Sequence, residues 1–192
     1  MRQGTKIVLV VVVAGLFCCC VAGLGGTLLG TRLITQAIIT EPARVAEVGS
    51  QIADYQVPAG YQQAFALDIL GLKMVAITSG AERAAFTVLA LMQFPAPAAV
   101  SRAEIERQMQ QALAQQTGIG SSDLHVTGQQ QVTIKGEPVT LTVREGTSAD
   151  GTTVRQVTGL FQGKGGPCVL MVMGEGNDWD QPVVDQFISS IR

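Results

Sequence analysis

The chain has 192 residues, of which 47% are hydrophobic and 15% are charged, and its formal net charge is −2. This composition is too apolar for a disordered tail and too poor in charge for a long coiled coil. The 22 glycines follow no three-residue period and the four cysteines form no disulfide pattern, which excludes collagen-like and cystine-rich scaffolds. One small folded domain is therefore expected.

The first feature in chain order is an apolar segment, residues 7–29, that contains no charged side chain. At about 1.5 Å per residue its 23 residues would extend roughly 34 Å as a helix, enough to cross a hydrocarbon core about 30 Å thick. Arg2 and Lys6 precede the segment and all fifteen acidic residues follow it, so residues 1–6 should stay in the cytoplasm. We predict a single-pass protein of the cell membrane, held in the lipid bilayer, whose C-terminal domain is extracytoplasmic.

Two other interpretations of this segment fit the sequence less well. Val21-Ala22-Gly23 offers small residues for cleavage by a signal peptidase, but the apolar run continues to Leu29, beyond the usual signal-peptide core. Three cysteines, Cys18 to Cys20, suggest a lipoprotein, but the residues before Cys18 lack the Leu-small-small pattern that lipid attachment needs. The sequence favours an uncleaved anchor.

Small side chains recur at every fourth position along the span, namely Ala14, Cys18, Ala22, Gly26 and Gly30. On a helix they form one stripe that a second helix can approach closely, which predicts a homodimer through the membrane helix. The alternative is that small residues are simply common in membrane helices and that the cysteines are apolar fillers.

The rest of the chain is acidic. Without Arg2 and Lys6 the thirteen basic residues become eleven, against fifteen acidic ones, so no nucleic-acid partner is expected. Residues 30–54 are interpreted as a helical juxtamembrane stalk, in which 31–39 prolong the membrane helix and Pro42 opens a spacer helix over 43–54. Residues 55–192 form the exported domain.

Runs of alternating or apolar residues between turn residues predict seven strands in that domain. The expected strands are 62–70, 72–78, 84–94, 124–134, 137–145, 153–162 and 167–174. Turns are expected at Gly71, at Lys135-Gly136 and at Gly163-Lys164-Gly165-Gly166.

Two helices complete the pattern. Ser101 and Glu104 form a capping box, and Gly118 ends a helix whose apolar stripe is Ile105, Met109, Ala112 and Leu113. The last helix begins near Asp178 and has an apolar face of Val184, Phe187, Ile188 and Ile191. The order β-β-β-α-β-β-β-β-α predicts an α+β fold, an antiparallel sheet of about six or seven strands with helices packed on it.

Two short motifs suggest a family. The segment Tyr55-Gln56-Val57-Pro58-Ala59-Gly60-Tyr61 and the closing Phe187-Ile188-Ser189-Ser190-Ile191 resemble the start and the last helix of the PsbP-like fold. The resemblance spans residues 52–192. It implies that the domain binds or assists a larger assembly and is not an enzyme, and it places no binding residue.

Catalytic and metal-binding residues are scarce. The single histidine, His125, lies too close in sequence to Ser121, Ser122 and Asp123 for a triad, and one histidine with one exported cysteine, Cys168, excludes a zinc site. Cys168 sits in an apolar strand and is expected to be a buried thiol.

Two further groups invite a ligand interpretation. Glu175, Asn177, Asp178 and Asp180 loosely resemble a calcium loop, but they lack its spacing, and capping of the last helix explains Asp178 and Asp180. Gly163-Lys164 has the wrong spacing for a phosphate loop, so a hairpin turn with a solvated lysine is expected.

These observations predict a membrane-anchored, non-catalytic binding or assembly module without cofactor or metal, with Trp179 as a candidate partner contact. The alternative is a small ligand-binding sensor or hydrolase with a pocket between sheet and helices. A third interpretation is a structural envelope protein that dimerises through its membrane stripe.

Overall fold

The structure, a computed structural model, describes residues 38–79, 87–95, 124–147, 151–175 and 179–192. These residues form eight strands and two helices. The strands are β1 (Ile38–Ile39), β2 (Tyr61–Ile69), β3 (Leu72–Ser79), β4 (Thr87–Gln93), β5 (His125–Ile134), β6 (Glu137–Thr147), β7 (Thr153–Gln162) and β8 (Pro167–Glu175). The helices are α1 (Pro42–Ile52) and α2 (Gln181–Ser190).

All eight strands belong to one antiparallel sheet in the order β1-β2-β3-β4-β8-β7-β6-β5. The strands β2 to β4 and β5 to β8 are two meanders, which join where β4 pairs with β8. The expected antiparallel sheet with helices packed on it is confirmed.

Two of the hairpin turns each contain a glycine with positive φ. Leu70 and Gly71 have φ of 50° and 86°, and Lys135 and Gly136 have φ of 53° and 78°. Two consecutive residues with positive φ make the turn whose twist matches that of paired strands, so these dipeptides set the register of β2 with β3 and of β5 with β6.

Residues 38 and 39 correct the expectation that a helix continues to Ile39. They form β1, where Ile38 and Ile39 pair with Leu67 and Ala66 of β2. Branched side chains favour extended backbone, and Glu41 is extended as well because it precedes Pro42. The chain therefore joins the sheet before α1 begins.

Helix α1 is present close to its expected bounds, but it is a layer of the core in place of the expected spacer. Its apolar residues Val45, Val48 and Ile52 are at most 6% exposed and belong to the main hydrophobic cluster. It contacts β2, β3 and β4. The folded unit thus includes residues that precede 55.

Helix α2 packs on the same face of the sheet as α1, which we call the front face. All four residues of its expected apolar face, Val184, Phe187, Ile188 and Ile191, are buried in the cluster that contains Leu89 and Leu170. The two helices are linked on this face by Tyr55, which follows α1 and packs edge-on against Phe187 of α2, with ring centroids 5.8 Å apart. Gln63 Nε2 donates a 2.7 Å hydrogen bond to the Tyr55 hydroxyl.

The opposite face, the back face, carries a second apolar cluster. Its members come from five strands and are Phe65, Met74, Ala76, Met92, Leu160 and Val169. No residue of α1 or α2 belongs to this cluster.

The predicted membrane span 7–29 and the predicted helix over 101–117 lie outside the described residues. Within the described ranges, neither helix has the length and apolar character needed to cross a bilayer.

Candidate functional site

The far edge of the sheet is formed by β5, a strand of ten residues. Among the described strands it pairs only with β6. The backbone N–H and C=O groups on the outer side of an edge strand are a template for pairing with another extended chain. The β5 edge is therefore the candidate site of this domain.

The side chains of β5 are unusually accessible for a strand. Seven of its ten residues are exposed, so both its faces reach solvent, and Val126 is 56% exposed. Its side chains are buried only toward the turn into β6, where Ile134 is 1% exposed and Val132 packs against the main cluster. The end that begins at His125, which we call the open end, also pairs with β6 but carries exposed side chains.

Natural edge strands are protected by short length, lysine, proline or bulges. The opposite edge strand, β1, has two residues in the described part of the chain. In β5 the one such device is a bulge between Val126 and Gly128. From Gly128 to Ile134 the strand has no charged residue and no proline, so it suits pairing with a second strand.

Sequence reasoning predicted this strand but did not identify it as a site. The signal was the run Gln129-Gln130-Gln131, since consecutive polar residues in a strand cannot all face a core. Only the order of the strands in the sheet shows that this strand lies at an edge, and that order came from the structure.

The open end of β5 lies beside a row of polar side chains on the front face. His125 pairs with Glu145, and Glu145 pairs with Arg155. Arg155 Nε lies 3.6 Å from Glu145 Oε1, and the Arg155 guanidinium lies 5.1 Å from the centre of the Trp179 ring. The structure therefore brings His125 and Trp179, two residues identified from sequence, to the same end of the sheet.

Trp179 itself is half-buried and packs against the main cluster. Its Nε1 donates a 2.8 Å hydrogen bond to Gln181 Oε1, and Gln181 Nε2 donates to Asp185 Oδ1 at 2.7 Å. Its indole thus contributes to the packing and hydrogen bonding of α2. Its role as a partner contact stays a prediction.

Asp180 is confirmed as a helix cap, because its carboxylate accepts a 3.2 Å hydrogen bond from the Val183 N–H. Asn177 and Asp178 lie outside the described residues. Across the ranges that the structure describes, no group of three or more His, Cys, Asp or Glu side chains is arranged to hold a metal ion.

Cys168 is fully buried in β8, as expected, and has no disulfide partner in the described part of the chain. Burial raises the pKa of its thiol well above the ordinary value. The nucleophilic thiolate is therefore suppressed, and the thiol serves as a small apolar side chain.

The turn 163–166 joins β7 to β8 as the sequence predicted, but Lys164 is not simply solvated. Its Nζ donates to Asp54 Oδ1 at 2.6 Å and to the Ser50 carbonyl at 2.9 Å. Beside it, the Gly165 N–H donates a 2.8 Å hydrogen bond to the buried Gln93 side chain. These hydrogen bonds of the turn tie the β7–β8 hairpin to the end of α1 and to Gln93, and we call them the clasp.

The membrane stripe of Ala14, Cys18, Ala22, Gly26 and Gly30 lies outside the described residues, so the homodimer stays a prediction. Comparison of the chain with protein-family models and with curated proteins finds no match.

Proposed function

We propose that the chain is a single-pass membrane protein whose extracytoplasmic α+β domain is a non-catalytic binding or assembly module. Its β5 edge pairs with an extended segment of a partner protein. The observation that carries this proposal is the ten-residue, largely exposed edge strand β5. Backbone hydrogen bonds to such an edge supply affinity, and alternate side chains supply specificity.

The position of the anchor supports this use of β5. The predicted membrane segment precedes β1, which is at one edge of the sheet, and β5 is at the other edge. Seven strand spacings of about 4.8 Å separate these edges, roughly 34 Å in a flat sheet. A partner strand on β5 is thus kept clear of the chain that enters the bilayer.

The chemistry of β5 also indicates the partner's character. Gln129, Gln130 and Gln131 offer amide donors and acceptors without charge, so they fit an uncharged polar strand. The resemblance to the PsbP-like family, which we retain as part of the proposal, agrees with a role in assembly.

Site-specific photo-crosslinking in native membranes tests the proposal. A photoreactive residue replaces Gln130 in β5 or, as a matched control, Gln51, which is an exposed glutamine of α1. We expect a defined adduct from position 130 and none from position 51. No adduct at 130, or the same adducts at both positions, would contradict the proposal.

A pair of proline substitutions tests the strand pairing itself. The N–H groups of Gln129 and Gln130 point to opposite sides of β5, so one bonds to β6 and the other faces outward. With the photoreactive residue at Gln131, which is exposed, the outward-facing proline variant should remain folded and lose the adduct. If that variant keeps the adduct, backbone pairing is not the mode of binding.

The membrane orientation has its own test. Gln130→Cys should react with a membrane-impermeant thiol reagent on intact cells when Cys18, Cys19 and Cys20 are replaced by Ser. Labelling that occurs only after lysis would refute the extracytoplasmic location.

A further inference from the structure

Three hairpin turns lie at the same end of the sheet. Neighbouring strands alternate in direction, so β2, β4, β7 and β5 all end where β3, β8 and β6 begin. The turns at this end are residues 70–71, 135–136 and 163–166. We call it the turn end of the sheet, and the row of Thr87, Arg155 and His125 marks the opposite end.

The chain enters the sheet from the turn end. Ile38 pairs with Leu67 and Ile39 with Ala66, so β1 runs away from the β2–β3 turn. The predicted membrane segment ends at residue 29, and the nine steps from there to Ile38 span at most about 30 Å when fully extended. The point of entry and this short connection make the turn end the side of the domain that faces the predicted anchor.

Lysine side chains are confined to the turn end. The described part of the chain contains three lysines, and all of them lie there, namely Lys73, Lys135 and Lys164. They equal in number the acidic residues of this end, which are Asp54, Asp68 and Glu137.

The opposite end has the reverse balance. Its described acidic residues, Glu145, Glu175 and Asp180, outnumber its described basic residues, Arg144 and Arg155. An anionic surface is therefore repelled by the opposite end and not by the turn end.

The tips of two turns carry side chains that suit a lipid surface. Leu70 is 95% exposed and has a φ of 50°, in the left-handed region where Asn, Asp or Gly is the usual turn residue. Water does not explain this leucine, whereas a lipid interface buries such apolar side chains to a depth of about 5–10 Å. The same position of the β5–β6 turn is held by the exposed Lys135, with a φ of 53°. A lysine keeps its stem on apolar surface while its ammonium group reaches lipid phosphates.

We propose that the turn end rests on the bilayer, with the Leu70 side chain in the interface and Lys135 at the phosphate groups of anionic lipids. This inference rests on the membrane anchoring in the proposed function. The two tips lie five strand spacings apart, about 24 Å in a flat sheet, so together they hold the strands upright on the lipid surface. The open end of β5 is then the part of that strand farthest from the bilayer, and its edge stays accessible to a partner.

Fluorescence quenching by lipids tests this orientation in the full chain. With the three cysteines of the predicted span replaced by Ser, the chain is reconstituted into vesicles of phosphatidylcholine and phosphatidylglycerol, some of whose lipids carry a nitroxide on the headgroup. An environment-sensitive dye is attached at Leu70→Cys or, as a matched control, at Val126→Cys. Val126 is also an exposed apolar residue, but it lies near the opposite end, about 20 Å away along the strands. The native Cys168 is buried and should stay unlabelled.

We expect the nitroxide to quench the dye at position 70 and to leave the dye at position 126 unchanged. No quenching at 70 in vesicles that carry the chain on flotation would overturn the proposal, while the anchoring would stand. Equal quenching at both positions would also overturn it, since a face of the sheet would then lie on the lipid. A chain that does not float with the vesicles would refute the anchoring as well.

Two further comparisons complete the test. Without phosphatidylglycerol the quenching at position 70 should weaken, and undiminished quenching would refute the part given to Lys135. If Leu70→Cys does not fold, Gln162→Cys and Thr147→Cys place the dye at exposed ends of β7 and β6, at the turn end and the opposite end respectively. Quenching should then occur at 162 and not at 147. The reverse order, equal quenching or none would overturn the proposal.

Discussion

The two edges of the sheet are built on opposite principles. At the first edge, β1 has two residues in the described part of the chain, and α1 follows it and packs against the adjoining strands. At the other, β5 is ten residues long, and seven of those residues are exposed. We call the first side closed, because α1 packs on the sheet beside that edge, and the second side open, because the side chains of its edge strand are exposed. Stability should therefore depend on the closed side, and binding on the open side.

The largest expected effect comes from truncating one side chain on each side of the sheet. Ile52→Ala in α1 removes a side chain with no exposed surface and should lower the free energy of unfolding by about 2–5 kcal/mol. Val126→Ala in β5 removes a side chain that is 56% exposed and should change it by less than about 0.5 kcal/mol. Chemical denaturation of the detergent-solubilised full chain measures both. Equal losses would mean that the two edges do not differ in this way.

A second comparison uses one glycine from each side. An added Cβ at Gly49 of α1 would collide with the Tyr55 hydroxyl, which is hydrogen-bonded to Gln63. Gly49→Ala should therefore destabilise by about 1–2 kcal/mol, because overpacking costs more than the gain in helix propensity. At Gly128 of β5 no atom lies within 4 Å of the added Cβ, so Gly128→Ala should stabilise slightly, by about 0.5 kcal/mol. Thermal unfolding should move in opposite directions for the two variants.

Thiol chemistry compares the centre of the sheet with its open edge. Burial raises the pKa of Cys168, so the folded state keeps the thiol protonated at pH values where the unfolded state releases the proton. The stability from this group is present below the unfolded pKa of about 8.5 and falls above it by about 1.4 kcal/mol per pH unit. Between pH 9 and 10, the free energy of unfolding of Cys168→Ala should therefore fall by about 1.4 kcal/mol less than that of the unsubstituted protein.

A thiol at the open edge provides the control. Gln130→Cys lies at an exposed position and should react rapidly with a thiol reagent in the folded protein, whereas Cys168 should react only on unfolding. Similar rates for the two thiols would contradict the assigned burial.

The smallest expected effect concerns the clasp that helps to close the first side. Lys164→Met removes the contacts of Nζ with Asp54 and Ser50 and should cost about 0.2–1 kcal/mol, since the pair is partly exposed. A double-mutant cycle with Asp54→Asn isolates the pair, and high salt should reduce its coupling energy. A coupling of zero at low salt would show that the clasp depends on its other hydrogen bonds, such as the 2.8 Å bond that the Lys164 N–H donates to the Ile52 carbonyl.

Most elements could be predicted because their signals are local. Alternating or apolar runs identified the seven longer described strands, and glycines identified the turns between them. The periodicity of Val184, Phe187 and Ile188 identified the face of α2. Residues 38 and 39 could not be predicted, since two branched residues suit either a helix end or a strand until a partner is present. The pairing with Leu67 and Ala66 decides between these states.

The candidate site was less predictable than the fold. Trp179 and His125 stand out in the sequence as rare residue types. The Trp179 indole, however, packs against the core and stacks with Arg155, a residue about two dozen positions away in sequence. The glutamines of β5 could not be predicted as a site, because polar residues in a strand do not reveal whether the strand is central or at an edge. That distinction depends on which strands pair, a long-range property.

By itself the sequence determined the α+β class, the antiparallel strands, their turns and the apolar face of the last helix, because each depends on residues within a few positions of one another. Only the tertiary structure decided that β4 pairs with β8, that α1 is a core layer and that β5 is left at the edge. Those outcomes depend on which apolar faces bury each other across long stretches of chain, and that choice has no local signature.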